Sequence, residues 1–182
     1  MQGKVILPER KDNNNVELAA SVAANFASIG FPMTTEQTKH LAKADKDDII
    51  AFIHDIYQDL WSVANQKGIS YSFLPFKKNY EMLFDHQMVE TMVYNLLSNA
   101  VKYTAENGNV QIRLRHDEED EKLYIEVEDN GTGISLEQQA TLFEPFMHGY
   151  VSKGGMGIGL YTAHMMAQQH YGDLTYLETS PM

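Results

Sequence analysis

The stretch NLLSNAVKY, residues 95–103, decides the fold of this chain. Its polar positions Asn95, Asn99 and Lys102 are spaced four and three residues apart, so on a helix their side chains form one stripe. The residues around them are mostly apolar and would face a core. Taken alone, two carboxamides and an amine fit a solvent-facing helix surface as well as they fit a binding site.

Strand and helix patterns alternate on both sides of this helix. Asp85 is placed to cap the start of the helix, which we expect to run to about Tyr103. Residues 1–15 are mostly polar and predict a frayed start, and residues 45–48 predict a charged link. Further helices are predicted over residues 16–28, 35–44, 49–66, 136–142 and 158–170, and strands over residues 69–73, 80–84, 110–115, 123–128 and 174–177.

The order of these elements favours an α+β fold, in which a sheet is covered by helices on one face. A chain of 182 residues with 43% hydrophobic residues is large and apolar enough to bury a core. We divide it into a helical N-terminal segment of unknown role, residues 1–47, and a main domain, residues 48–182.

Composition and charge exclude several classes of function. The formal net charge is −11 and the basic residues are scattered, which argues against nucleic acid as a partner. The chain has no cysteine, which excludes disulfides and thiolate metal sites and agrees with a reducing compartment. No apolar run reaches the roughly 20 residues that a membrane helix needs, so we expect no direct membrane insertion.

A second signal, DNGTGI, residues 129–134, comes directly after a predicted strand. A carboxylate at a strand end, Asp129, can accept a hydrogen bond from an amine such as that of adenine. Gly131 and Gly133 permit positive φ angles and the close approach of a ligand. An ordinary turn would explain this segment equally well if it stood alone.

Two more signals follow in order. The segment LFEPF, residues 142–146, is aromatic and stiffened by proline, and a loop lying on the core would explain it. The segment GGMGIGL, residues 154–160, runs into a predicted helix. Because a helix start offers unpaired N–H groups and the positive end of a dipole, this glycine-rich segment favours phosphate binding over a flexible hinge.

Together, the four segments resemble the asparagine, first glycine, phenylalanine and second glycine boxes of the GHKL superfamily, which includes DNA gyrase, a heat-shock chaperone, histidine kinases and mismatch-repair ATPases. The phenylalanine box and the sequence NAVKYT are most similar to the catalytic ATP-binding domain of sensor histidine kinases. The resemblance covers about residues 48–179. It implies the Bergerat fold, a two-layer α/β sandwich with a mixed sheet on one side and helices on the other.

The resemblance also implies ATP and Mg²⁺ as cofactors and assigns roles to particular residues. By this resemblance Asn99 binds Mg²⁺, and Lys102 and Tyr103 contact the phosphates and the ribose side. Asp129 contacts the adenine amine. The other implied nucleotide-binding positions are Gly131, Gly133, Ile134, Phe143, Gly155, Gly157, Ile158, Gly159 and Leu160.

The implied catalytic residues are Asn95, Lys102, His148 and Lys153, with a lid over about residues 135–156. In the ATP-hydrolysing relatives a glutamate stands one helical turn before the Mg²⁺ ligand and activates water. Asn95 cannot act as that base at neutral pH, so we expect phosphoryl transfer rather than hydrolysis. His148 stands where the family often has an arginine, and Lys153 is the alternative cation for that role.

The resemblance implies a histidine kinase of a two-component phosphorelay, acting in the cytoplasm, with histidine-bearing dimerisation helices and a response regulator receiver domain as partners. Of the seven histidines only His54 faintly echoes an acceptor motif, so we expect the phosphoacceptor on another segment. The family usually has one more strand after the strand predicted last, so the chain resembles a fragment. The alternative is a nucleotide-binding adaptor that does not transfer phosphate.

Overall fold

The computed structural model describes residues 2–9, 44–146 and 157–177, with the single positions 24, 27, 28 and 30 between the first two ranges. The strands in chain order are β1 (Gln2–Pro8), β2 (Asp45–Asp48), β3 (Ser70–Leu74), β4 (Glu81–Phe84), β5 (Asn109–Asp117), β6 (Lys122–Asp129) and β7 (Asp173–Tyr176). The helices are α1 (Ile49–Gln66), α2 (His86–Tyr103), α3 (Leu136–Gln139) and α4 (Gly159–Gln169).

Five strands form one mixed sheet in the order β3-β5-β6-β1-β7. β3 runs parallel to β5, and the other neighbouring pairs are antiparallel. β2 and β4 form a separate two-stranded sheet. The helices α1, α2 and α4 pack against the large sheet, and α2 also packs against α1 and α4. The α+β prediction, with a mixed sheet covered by helices, is confirmed.

The two long helices are confirmed close to the predicted boundaries. α1 and α2 each span 18 residues, and the side chains of Asp48 and Asp85 cap their first turns. Their apolar faces meet in one core with the inward-facing residues of β5 and β6. This core holds α2 firmly, and α2 carries the polar stripe. α3 is shorter than predicted and ends at Gln139.

Over residues 2–8 the predicted frayed start is wrong, because these residues form β1 in the interior of the large sheet, whereas residues 10–15 lie outside the described residues. β1 pairs along its length with β6 and over four residues with β7. Its side chains alternate: Gly3, Val5 and Leu7 are buried, whereas Lys4 and Ile6 are half-buried on the other face. The strand that pairs with β7 therefore comes from the N-terminal end of the chain.

The charged link predicted over residues 45–48 is also wrong, because these residues pair with β4 as strand β2. The domain boundary placed between residues 47 and 48 falls inside β2, and β1 lies in the same sheet as β5 and β6. Apart from Ala44 and the single positions named above, the helices predicted over residues 16–28 and 35–44 lie outside the described residues. Within the described ranges, none of the helices is both long and apolar enough to cross a membrane.

Candidate functional site

The polar stripe of α2 lies on the side of the helix that the core does not cover. Asp85 accepts a hydrogen bond from the N–H group of Met88 at 3.0 Å and fixes the start of the helix. The apolar residues of α2 are buried in the core. Asn95, Asn99 and Lys102 are each half-buried, so their polar atoms border the surface while the core holds their backbone.

Asn95 joins α2 to the start of α4. Its Nδ2 atom donates a hydrogen bond to the carbonyl oxygen of Thr91 at 2.8 Å, which directs its Oδ1 atom the other way. A β-carbon at Gly159 would lie 2.6 Å from this Oδ1 atom, so only glycine fits there without a shift. The polar stripe and the second glycine segment therefore touch at this point.

The start of α4 has the features of an anion-binding helix end. Gly157 has a φ angle of +70°, which favours glycine, and α4 begins at Gly159. In the part of the chain that the structure describes, no side chain caps α4. The N–H groups of a first helical turn have no partner within their own helix, and here they border the site.

The strand-end aspartate lies beside the other end of α2. Asp129 is buried at the end of β6, and its Oδ1 atom accepts a hydrogen bond from the N–H group of Gly131 at 2.9 Å. A β-carbon at Gly131 would lie 2.7 Å from the carbonyl oxygen of Tyr103. The first glycine segment and the last turn of α2 are therefore in direct contact.

Gly133 differs from Gly131 because no described residue crowds it. It has a φ angle of +71°, and among the residues that the structure describes no heavy atom beyond its chain neighbours would lie within 4 Å of a β-carbon there. Beside it, the carbonyl oxygen of Ile134 accepts a hydrogen bond from Gln139 Nε2 at 3.0 Å, which ties the segment to α3. The turn after β6 is thus fixed at both ends and open in its middle.

The phenylalanine segment also reaches α4. The ring of Phe143 stacks on the ring of His164 with centroids 4.6 Å apart. Phe143 and Leu160 both pack against the edge of the core. This contact connects the start of the predicted lid to the helix that follows the second glycine segment. His148, Lys153 and Gly155 lie outside the described residues.

Two polar residues that the sequence analysis missed hold the site together. The Asn130 Oδ1 atom accepts a hydrogen bond from Asn109 N–H at 2.7 Å and so pins the turn after β6 to the start of β5. Lys67 donates hydrogen bonds to three backbone carbonyls near the end of α2. Asn130 lies within the first glycine segment but was given no role there, and Lys67 lies outside the four segments; the contacts of both arise only from the tertiary fold.

The surrounding residues fit an adenine nucleotide and a hard divalent cation. A buried carboxylate at Asp129 suits an exocyclic amine, and the open turn at Gly133 leaves room for a flat ring. The Asn99 carboxamide offers a hard oxygen ligand. Among the described residues, no group of three or more His, Asp or Glu side chains could hold a metal ion.

A comparison with known protein families agrees with this geometry. Residues 84–181 match the family described as histidine kinase-, DNA gyrase B- and HSP90-like ATPases, and this range is more than half of the chain. The chain belongs to this family. The matched range contains the polar stripe of α2 and the three segments that follow it, so the resemblance read from those segments is confirmed.

Curated relatives place the chain in the histidine-kinase branch of the family. It is 30% identical over 146 residues to histidine kinase P4 of Formosa agariphila, covering 76% of this chain and 10% of that protein. It is 33% identical over 134 residues to the aerobic respiration control sensor protein ArcB of Escherichia coli K12, covering 70% of this chain and 17% of that protein. The chain thus spans a small part of each relative.

Solved structures share the fold. Full-length ShkA in complex with AMPPNP aligns with a TM-score of 0.63 at 21% identity, covering 85% of this chain and 30% of that one. The catalytic domain of histidine kinase ThkA aligns with a TM-score of 0.59 at 21% identity, covering 68% of this chain and 80% of that one. These structures confirm the fold, and the family match together with the curated relatives identifies the chain as an ATP-binding domain of the sensor histidine kinase type.

Proposed function

We propose that this domain binds ATP with Mg²⁺ and passes the γ-phosphoryl group to a histidine on a partner segment. The observation that carries the proposal is that two separate segments contact α2. The start of α4 touches Asn95, and the turn after Asp129 touches the carbonyl of Tyr103. These contacts support a nucleotide site along the polar stripe of α2, between the start of α4 and the turn after Asp129.

Each group has a chemical role in this proposal. The Asp129 carboxylate accepts a hydrogen bond from the adenine amine, while Gly131, Gly133 and Ile134 border the base. Lys102, half-buried with its Nζ atom 5.0 Å from the centroid of the Tyr103 ring, holds phosphate. The remaining nucleotide contacts come from Tyr103, Phe143, Gly155, Gly157, Ile158, Gly159 and Leu160.

Asn99 is the proposed metal ligand, and bound Mg²⁺ would neutralise charge on the phosphates. Asn95 restricts the chemistry, because its amide group cannot accept a proton from water at neutral pH. Its Nδ2 atom is also committed to the Thr91 carbonyl. We therefore assign transfer rather than hydrolysis, with rate depending mainly on alignment and charge neutralisation. His148 or Lys153 would add positive charge from the lid.

The proposed partners are the histidine-bearing dimerisation helices and the receiver domain of a response regulator, which complete a two-component phosphorelay. A structure of histidine kinase ThkA in complex with response regulator protein TrrA aligns with this chain at a TM-score of 0.54 and 16% identity. We place the domain in the cytoplasm, where ATP and response regulators meet.

A nucleotide titration tests the binding step. We expect the purified chain to bind ATP more tightly with Mg²⁺ than without it. Asp129→Ala should weaken binding at least about tenfold, since it removes a buried hydrogen-bond acceptor. Asp120→Ala, on the exposed tip of the β5–β6 hairpin, is the matched control and should bind as the wild type does. Equal affinities for the two variants would contradict the proposed site.

A transfer assay tests the chemistry. The chain is mixed with ATP labelled on the γ-phosphate and with a separate dimerisation hairpin that carries an acceptor histidine. We expect label on the hairpin with little release of free phosphate. Binding without labelling would favour the nucleotide-binding adaptor. Steady phosphate release that survives Asn95→Ala would contradict the role given to Asn95.

A further inference from the structure

Three turns of the chain meet at the C-terminal end of α2, around the side chain of Lys67. This residue follows α1, and its Nζ atom donates hydrogen bonds to the carbonyl oxygens of Val101 at 2.7 Å, Lys102 at 3.3 Å and Thr104 at 2.6 Å. An ammonium group has three N–H donors, and these three carbonyls use all of them. A side chain from one helix region thus caps the end of another helix.

The end of α2 is a place where a cation has a definite effect. The last carbonyl groups of a helix have no partner within the helix and carry its partial negative charge. Thr104, the C-cap residue, keeps one helical hydrogen bond, from its N–H group to the carbonyl of Ala100 at 3.0 Å. Lys67 holds three of the carbonyls that remain, those of Val101, Lys102 and Thr104, with a charge of the favourable sign, and leaves that of Tyr103 to face Gly131.

The backbone of the Lys67 turn is fixed as well, so the ammonium group acts from a rigid base. The Asn107 N–H group donates to the carbonyl oxygen of Lys67 at 3.0 Å. Gly68 has a φ angle of +66°, and a β-carbon there would lie 2.7 Å from Asn107 Oδ1. The turn after α1 and the turn after α2 are therefore packed against each other.

The residues whose carbonyls Lys67 holds are those next to the candidate nucleotide site. Lys102 is one of them, and Tyr103 lies between Lys102 and Thr104. The carbonyl of Tyr103 in turn contacts the turn that follows Asp129, at Gly131. A shift of this last helical turn would move a proposed phosphate contact and a proposed base pocket together.

We propose that Lys67 is a positioning residue for the nucleotide site, which acts by fixing the last turn of α2 and with it Lys102 and Tyr103. This inference rests on the function proposed above. It assigns to Lys67 no contact with the nucleotide. Its effect on binding is transmitted through the backbone carbonyls that it holds.

The test compares ATP affinity in the wild type and three variants. Lys67→Met keeps the length of the side chain and removes its donors, and should weaken ATP binding by about tenfold. Lys67→Arg keeps the charge and should recover most of that loss. Asp48→Ala removes the cap at the other end of α1, where Asp48 accepts hydrogen bonds from the N–H groups of Ile50 and Tyr80. It should lower stability but leave ATP affinity within about twofold of the wild type.

A double-mutant cycle with Lys102→Met measures the coupling between Lys67 and Lys102 in ATP binding. A purely structural role of Lys67 would not produce this coupling. If Lys67 acts through Lys102, the Lys67→Met change should weaken binding by less than about threefold once Lys102 is already Met. In the protein without nucleotide, hydrogen exchange at the Thr104 N–H group should also speed up in Lys67→Met and not in Asp48→Ala.

The outcomes separate this inference from the function on which it rests. A wild-type chain that binds no adenine nucleotide refutes both. A wild type that binds ATP while Lys67→Met binds equally well refutes the positioning role alone. The positioning role is also refuted if Asp48→Ala weakens binding as much as Lys67→Met, or if the effects of Lys67→Met and Lys102→Met simply multiply.

Discussion

The large sheet consists of two halves that are built in different ways. The continuous half contains α1, β3, α2, β5 and β6, which lie between residue 49 and residue 129 and are interrupted only by β4, a strand of the small sheet. The assembled half contains β1, α4 and β7, which come from both ends of the described chain. Within the described sheet β7 pairs only with β1, so the outer strand depends on an element far away in sequence.

The candidate site lies across the boundary between these halves. Asn99, Lys102 and Asp129 belong to the continuous half, whereas Gly159 belongs to the assembled half and touches Asn95. Residues that are close in sequence close small loops, and elements far apart in sequence must close large ones. We therefore expect the assembled half to open first, and its opening to disrupt the site while α2 remains folded.

The largest effect should follow from Leu7→Asp, which breaks the assembled half. Leu7 is fully buried in β1, and an unpaired charge there should cost more than about 4 kcal/mol. We expect α4 and β7 to lose their protection from hydrogen exchange well before α1 and α2 do. ATP binding should be lost when α4 and β7 open.

Ile6→Thr is the control for this change, because Ile6 is a half-buried neighbour on the other face of the same strand. Ile6→Thr should change the free energy of unfolding only slightly. If α2 and α4 lose protection from hydrogen exchange together in Leu7→Asp, the two halves unfold as a single cooperative unit. That result would contradict the expectation that the assembled half opens first.

The same division explains what the sequence could and could not predict. α1 and α2 are long, amphipathic and capped by Asp48 and Asp85, so local patterns identify them. β1 has short alternation in Val5 and Leu7, but its partner strands lie far along the chain, and nothing local shows the pairing. Local patterns therefore predict a frayed start for this segment.

The site shows a similar limit. Asn95, Asn99 and Lys102 could be placed on one stripe from helical spacing alone. The contact between Asn95 and Gly159 could not be predicted, because no local rule brings α4 to α2; the family resemblance implied only that both residues serve one nucleotide site. Lys67 could not be predicted at all. A lysine at the end of a helix usually suggests a cap for that same helix, and here it caps a different one.

The second prediction acts on the continuous half alone. Asp85→Ala removes the side chain that caps α2, which should cost about 1–2 kcal/mol. The Asp85 N–H group, which donates to His170 Nε2 at 3.4 Å, is retained, so the contact with the end of α4 survives. Urea unfolding should show this loss of stability, and hydrogen exchange should speed up first in the first turn of α2.

Ser135→Ala is the control for Asp85→Ala, because it removes a cap from the short, exposed helix α3. It should change stability by less than about 0.5 kcal/mol. If Asp85→Ala instead weakened the protection of β7 more than that of α2, the two halves would not be separable in the way we propose.

The third prediction concerns pH and a carboxylate that bridges the halves. Glu126 of β6 accepts a hydrogen bond from Arg115 of β5 at 2.6 Å and lies 3.9 Å from Lys4 of β1. The hydrogen bond from Arg115 holds the pKa of Glu126 below its ordinary value of 4.5, against the opposing effect of burial. Because the folded pKa is the lower one, the stabilisation is complete above about pH 4.5 and is lost as the pH falls through the folded pKa.

The measurement is the free energy of unfolding of the wild type and Glu126→Gln between pH 3 and pH 7. The wild type should be more stable by about 1 kcal/mol at neutral pH, and this difference should shrink below about pH 4.5. In an Arg115→Met background the pH dependence of the difference should be much weaker. If the stability difference between the wild type and Glu126→Gln grew as the pH fell, this would contradict a lowered pKa of Glu126 in the folded protein.

The smallest effect should come from Tyr171→Gly, and it should be stabilising. Tyr171 follows the end of α4 with a φ angle of +61°, and its N–H group donates to the carbonyl of Gln168 at 3.0 Å. This position favours glycine, but the glycine stands one residue later, where a β-carbon at Gly172 would overlap the carbonyl oxygen of Ile6 in β1. The close approach of β1 thus requires glycine at position 172, and the positive φ angle at the end of α4 falls on Tyr171 instead of on a glycine.

Relief of this backbone strain should raise the free energy of unfolding by about 0.5–1 kcal/mol, measured by thermal or urea unfolding. Glu121→Gly is the matched control, because Glu121 has a φ angle of +50° in the β5–β6 turn of the continuous half. Hydrogen exchange should slow in α4 and β7 only in Tyr171→Gly, since only that change stabilises the half that opens first. If Glu121→Gly protected α4 and β7 to the same degree, the halves would open together, and the N-terminal strand would not be the element on which the outer half depends.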